Sequence, residues 1–131
     1  GSNDLTQIIA LLDWEMATIG DPWMDLGTTL AYWIQRDDSP ALLRHAFGPT
    51  MVNGSMSRMQ IVERYVEYSG SDPRDPLFYY CFGLFKLAVI VQQIFARFVR
   101  GHTRDKRFSR LDAVVLALGQ AGMTAIDKGT I

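Results

Sequence analysis

Four carboxylates fall within the seventeen residues from Leu11 to Gly27, LLDWEMATIGDPWMDLG: Asp13, Glu15, Asp21 and Asp25. Asp13 follows an apolar run, where a carboxylate at the mouth of a strand is placed to hold a divalent cation against a phosphate. Mg²⁺ suits that chemistry because it prefers hard oxygen donors, keeps several waters, and usually takes one or two carboxylates plus substrate phosphates. Glu15 lies two residues on, which in an extended chain puts it on the same side as Asp13. It is a candidate to act through a bridging water, and a surface ion pair accounts for it as well. Asp21 precedes Pro22 and heads an amphipathic helix, with Asp25 in its first turn. Carboxylates there satisfy free N–H groups and oppose the helix dipole.

The elements that must position these acids follow from the pattern of the chain. Ile8 to Leu12 is a short apolar run that reads as a buried strand. Asp13 to Trp23 is a loop punctuated by Gly20 and Pro22. A helix then carries Leu26, Leu30, Trp33 and Ile34 on one face and ends at Arg36 to Asp38. Ser39-Pro40 opens a short helix to about His45. Ser55 or Ser57 caps a helix to about Ser69, with Gly70 as its terminator. A long helix spans Leu77 to about Arg100. His102 to Arg107 is a basic loop, and Ser109 caps a last helix to about Asp127. The fold class expected is mainly α, with one short N-terminal strand that has no partner within the chain. A lone strand leaves its backbone groups unpaired.

The Asp-Trp-Glu, Gly-Asp-Pro and Asp-Leu elements between Asp13 and Leu26 resemble the corresponding segment of the aminoglycoside phosphotransferase-like kinases. Within them the branch related to phosphotransferase domains fused to acyl-CoA dehydrogenases is the nearest. The resemblance implies that residues 1–131 form part of the helical C-terminal lobe of a kinase-like fold. It implies that Asp13 holds Mg²⁺ on the phosphates of ATP or GTP, and that Asp25 braces a catalytic loop. A His-Gly-Asp-x-x-x-x-Asn loop should carry the base, but His45 and His102 are followed by Ala46 and Thr103. No glycine-rich phosphate cradle is present either. The phosphoryl-transfer template needs cradle, metal ligands and base together. The chain alone is therefore expected to be inactive and to bind no cofactor, while its parent phosphorylates a hydroxyl of a small-molecule acceptor.

Composition narrows the alternatives. The chain has 131 residues, 48% apolar and 21% charged, with a formal net charge of −1. Near neutrality argues against a nucleic-acid binder, which is usually strongly basic. Cys81 stands alone, excludes an internal disulfide and fits a reducing, cytoplasmic setting. The most apolar stretch, Leu77 to Val99, contains Lys86, Gln92, Gln93 and Arg97, which disfavours a membrane span. Arg97, Arg100, Arg104, Lys106 and Arg107 form the one locally biased charge cluster. Arginine suits bidentate phosphate binding, so these are candidate contacts to an anionic substrate. A solvated helix end facing its own dipole is the simpler account. Tyr79, Tyr80, Phe82 and Phe85 either line a pocket or form plain core. An unpaired strand and uncovered apolar surface also favour a non-catalytic helical module that pairs as a homodimer.

Overall fold

The computed structural model describes residues 7–10, 12 and 19–131. Its elements in chain order are α1 (Pro22–Tyr32), α2 (Pro40–Leu43), α3 (Arg58–Ser69), α4 (Pro76–Val99), a 3₁₀ turn (Lys106–Arg110) and α5 (Leu111–Lys128). The fold is mainly α, as expected. No strand occurs among the described residues. Ile8, Ile9 and Leu12 are exposed and belong to no regular element. The strand expected over Ile8 to Leu12 is thus absent there, since no second strand supplies the hydrogen bonds a ladder requires.

Local chemistry sets most boundaries. Asp21 caps α1 by accepting from the Trp23 N–H at 3.0 Å, with Pro22 at the first helical position. Ser39 caps α2, and Ser57 forms a reciprocal capping box with Gln60 at the start of α3. Gly70 ends α3 at φ 63°, a left-handed conformation that costs glycine little. Asp75 caps α4 just ahead of Pro76. The expectation for α5 needs correction. Asp105 caps a 3₁₀ turn within the expected loop, and Ser109 donates to the Lys106 carbonyl at 2.8 Å instead of capping α5. The helix then begins at Leu111 with no side-chain cap.

The core lies where α4 packs between α1 and α5. Leu30, Ile34, Leu42, Leu84 and Leu118 are fully enclosed. At the α1–α4 crossing the backbones touch. A Cβ added at Gly27 would overlap the Tyr79 carbonyl, and one added at Gly83 would overlap the Gly27 carbonyl. By length and composition α4 is long and apolar enough to cross a membrane. In this fold its Tyr79, Gly83, Leu84 and Leu87 are buried, while Phe78 and Phe85 stay exposed.

A second anchor joins the end of α1 to α3. Arg58 is 3% exposed, yet every face of its guanidinium is satisfied. It donates to the Trp33 carbonyl at 2.9 Å and to both oxygens of Asp38 at 2.9 and 2.5 Å. It also lies 4.7 Å from the Tyr80 ring centroid. Gln35 completes the knot, accepting from the Arg58 N–H at 2.8 Å and donating its own N–H to Asp38 at 2.7 Å. Breaking one side of such a buried pair generally costs about 3–5 kcal/mol, because the other charge is left without compensation.

Gly83→Ala tests the crossing. Alanine favours the helix by about 1 kcal/mol, but overpacking a close contact costs about 1–3 kcal/mol. The obstacle here is backbone, which cannot rotate aside, so a lower urea midpoint is expected. Gly119→Ala, where nothing lies within 4 Å of the added methyl, should be neutral or stabilising.

Candidate functional site

Asp13 and Glu15, the expected metal ligand and its companion, lie outside the described residues, as does Trp14. The described part of the motif begins at Ile19 and shows how the segment is anchored. Asp21 uses one carboxylate oxygen on the Trp23 N–H and the other on the Tyr79 hydroxyl, which donates at 2.6 Å. Its carboxyl is held below the ordinary carboxylate range, first by the Tyr79 hydroxyl and then by the Trp23 N–H. The same bond raises the Tyr79 phenol. Asp21 is the N-cap of α1, as expected from Asp21-Pro22. Asp25 is exposed, and its carboxylate meets no partner among the described residues. It is open to a contact from elsewhere.

Trp23 fixes this corner. It is 3% exposed and lies between Tyr65, edge-on at 5.4 Å, and Tyr79, at 5.6 Å. Aromatic contacts of this kind contribute about 0.5–1.5 kcal/mol beyond the area they bury. Of the aromatic residues read as pocket or core, Tyr79 and Tyr80 are buried, and Tyr80 also borders a groove. Burial pushes the Tyr80 phenol up to about 12. Phe82 is half-buried and Phe85 is exposed. Trp33 is half-buried and donates its indole N–H to the Met56 carbonyl at 2.9 Å. Cys81 contacts the Gly122 carbonyl, and burial raises its thiol. A raised thiol disfavours the thiolate, the reactive form.

The cationic cluster sits at the far end of α4. Arg97 lies eighteen positions after Tyr79, about 27 Å along a helix. Arg97, Arg100, Arg104 and Lys106 are exposed. Arg107 is already committed: it closes on Asp105 at 2.6–3.1 Å, which lowers the Asp105 carboxyl. The cluster and the carboxylate corner are therefore separate features.

Sequence reasoning missed Arg58 and Asp38. Their signal was weak, since an arginine one residue after a helix cap looks solvated. It also missed a groove of about 840 Å³ between the α1–α2 connection and α5, whose lining includes Arg58, Asp38, Tyr80, Leu116 and Thr124. No group of three or more potential metal ligands assembles among the described residues.

The anchored segment, α1, α2 and the first residues of α3 coincide with a family match. Residues 4–60 fit the phosphotransferase enzyme family. The chain is also similar to acyl-CoA dehydrogenase family member 11 of Mus musculus, at 27% identity over 119 residues, and to that of Homo sapiens, at 24%. Both alignments cover 89% of this chain and 15% of the relative. Acyl-CoA dehydrogenase family member 10 of Mus musculus is 30% identical over 97 residues, 72% of this chain and 9% of its own length. The chain thus spans less than a sixth of the curated relatives it matches. No solved structure matches it. The resemblance read from the Asp-Trp-Glu segment is found in both the family and the relatives, and it supports a phosphotransferase-like parent.

The Asp21–Tyr79 bond makes a pH-dependent prediction. Asp21 has a depressed folded pKa, so its contribution is present above the ordinary carboxylate value and is lost as pH falls through the lowered one. Tyr79 has a raised pKa, so its share is present below about pH 10 and is lost as pH rises through the raised value. Urea midpoints of wild type and Tyr79→Phe should differ by a constant amount from about pH 5 to pH 9 and converge outside that window. A gap that is independent of pH would exclude the bond as its source.

Proposed function

We propose that the chain is the C-terminal part of the catalytic lobe of a phosphotransferase that moves the γ-phosphoryl of ATP or GTP to a hydroxyl of a small molecule. The observation that carries this is the family match over residues 4–60, which contains the whole Asp13 to Leu26 motif. Asp13 would hold Mg²⁺, with Glu15 acting behind it. Asp21 accepts from the Trp23 N–H and the Tyr79 hydroxyl, which ties it to the start of α1. When bound, the ion supplies charge neutralisation on the transferring phosphates. Asp21 orients the entry into α1, and Asp25 offers an open carboxylate to a neighbouring loop. The catalytic base belongs to sequence that these 131 residues do not contain. An anionic acceptor would meet Arg97, Arg100, Arg104 and Lys106, all exposed and free of carboxylate partners among the described residues.

In the full-length parent, Asp13→Ala should abolish most phosphoryl transfer while the circular-dichroism spectrum is unchanged. Near-normal turnover would remove Asp13 from the metal site. The 131-residue chain by itself should show no transfer from ATP to any hydroxyl acceptor.

One observation favours a second reading, a helical module that self-associates. Phe78 and Phe85 are 53% and 66% exposed on one side of α4, and Ile8, Ile9 and Leu12 are also open. Exposed apolar surface of this kind is commonly covered by a partner. Two-fold pairing is the commonest closed arrangement. Sedimentation equilibrium at micromolar concentration should then give a dimer, and Phe85→Asp should return it to monomer.

A further inference from the structure

We propose that the groove between the α1–α2 connection and α5 binds a neutral, largely apolar small molecule, whose oxygen accepts a hydrogen bond from the Tyr80 hydroxyl. Such binding needs neither a metal nor phosphoryl transfer.

Tyr80 is 3% exposed, and its hydroxyl has no hydrogen-bond partner among the described residues. A buried phenol usually finds one. Among the described residues no sealed side-chain N or O atom lacks a partner, so the small area that Tyr80 keeps open includes its oxygen. That area faces the groove, which Tyr80 lines. The ring is held in place by the Arg58 guanidinium, 4.7 Å from its centroid, and Asp38 fixes Arg58 in turn. The hydroxyl therefore has a set position and nothing of the protein to bond.

The opposite wall suits apolar contact. Leu116, Gly119 and Met123 follow one another at i, i+3 and i+7 along one face of α5. Leu116 and Met123 are 65% and 60% exposed. Gly119 lies between them, and an added Cβ there would meet nothing within 4 Å, which leaves a notch. At about 840 Å³ the groove falls within the range of small-molecule sites, about 300–1,000 Å³.

Hydrogen bonding and charge select the ligand. Burial pushes the Tyr80 phenol up to about 12, so it stays protonated at neutral pH and is able to donate. Gln35 gives its side-chain oxygen to the Arg58 N–H and keeps its amide N–H groups to offer. Both residues call for an acceptor atom, which an ammonium group does not supply. The charged side chains of the lining are Asp37, Asp38, Asp127, Arg58 and Lys128, three acids against two bases, and that balance disfavours an anion. A neutral carbonyl oxygen on an apolar body satisfies both walls.

The test is an NMR titration of the isotope-labelled 131-residue chain with acetophenone, and in parallel with toluene, which has the ring without the oxygen. Acetophenone should bind saturably and shift the backbone amides of Gly119, Gln120 and Thr124. Tyr80→Phe keeps the ring beside Arg58 and removes only the hydroxyl. It should weaken acetophenone about 3–10-fold, the worth of one neutral hydrogen bond, and leave toluene unchanged. Gly119→Leu fills the notch at an exposed helical position and should abolish binding of both. Leu116→Gln, on the same wall, should weaken both and serves in its place if the leucine variant does not fold. Phe85→Asp, on the exposed side of α4, should alter neither. Acetophenone shifts that avoid α5, or none at all, overturn the proposal. So does wild-type affinity for acetophenone in Tyr80→Phe, an equal loss of toluene there, or wild-type binding by a folded variant of the α5 wall.

Discussion

Gly27 and Gly83 have no side chains, and the molecule uses that absence where α1 crosses α4. Either Cβ would run into a carbonyl of the facing helix. The contact brings two backbones closer than any other residue pair would allow, and the consequences spread along both helices. On one side it sets Asp21 within reach of Tyr79. On the other it lets Thr28 come within 3.4 Å of the Lys86 ammonium group. Leu30, Ala31 and Ile34 are then fully buried in the core. A motif-bearing segment that ends in a helix can be only as well placed as that helix. Here the helix is placed by the hardest contact available, backbone against backbone.

The other end of α1 is secured by a different physics. Arg58 carries a full charge into the interior, which is unfavourable unless the charge is paired and its donors are all used. Asp38 takes two of those donors and the Trp33 carbonyl takes a third. The carbonyl is one that the ending helix can no longer satisfy internally. The same arginine therefore stops α1, starts α3 and covers the Tyr80 ring. A hydrophobic side chain could fill that volume but could not bond the Trp33 carbonyl. Apolar packing is tolerant of small displacements, whereas a bidentate ion pair fixes direction as well as distance. The α1–α3 connection gains its registration from that difference.

Much of this architecture is legible in the order of the residues. Asp21-Pro22, Ser39-Pro40, Ser57 with Gln60, and Gly70 are local signals, and each sets a boundary by chemistry confined to four or five residues. What is not legible depends on groups far apart in the chain. Nothing near Arg58 announces Asp38, twenty positions earlier, and nothing near Gly27 announces Gly83. The Asp105 cap is local and still escapes a sequence reading, because the basic residues around it resemble a solvated loop and mask the turn. The strand expected at Ile8 to Leu12 fails for the opposite reason. Its apolar pattern is clear, but a strand is a relation between two segments, and among the described residues the second segment is absent.

Asp21 and Asp25, the two described acids of the motif, differ in the partners their carboxylates meet. Each Asp21 oxygen accepts a hydrogen bond, one from a backbone N–H and one from a phenol. Asp25, one turn along the same helix, has both oxygens open among the described residues. A sequence that spaces carboxylates closely risks their competing for one ion and repelling one another. Donors on both oxygens of Asp21 stabilise its charge, and the hydroxyl among them comes from α4. The start of α1 is thus tied to α4 by a bond that spans fifty-eight positions of sequence.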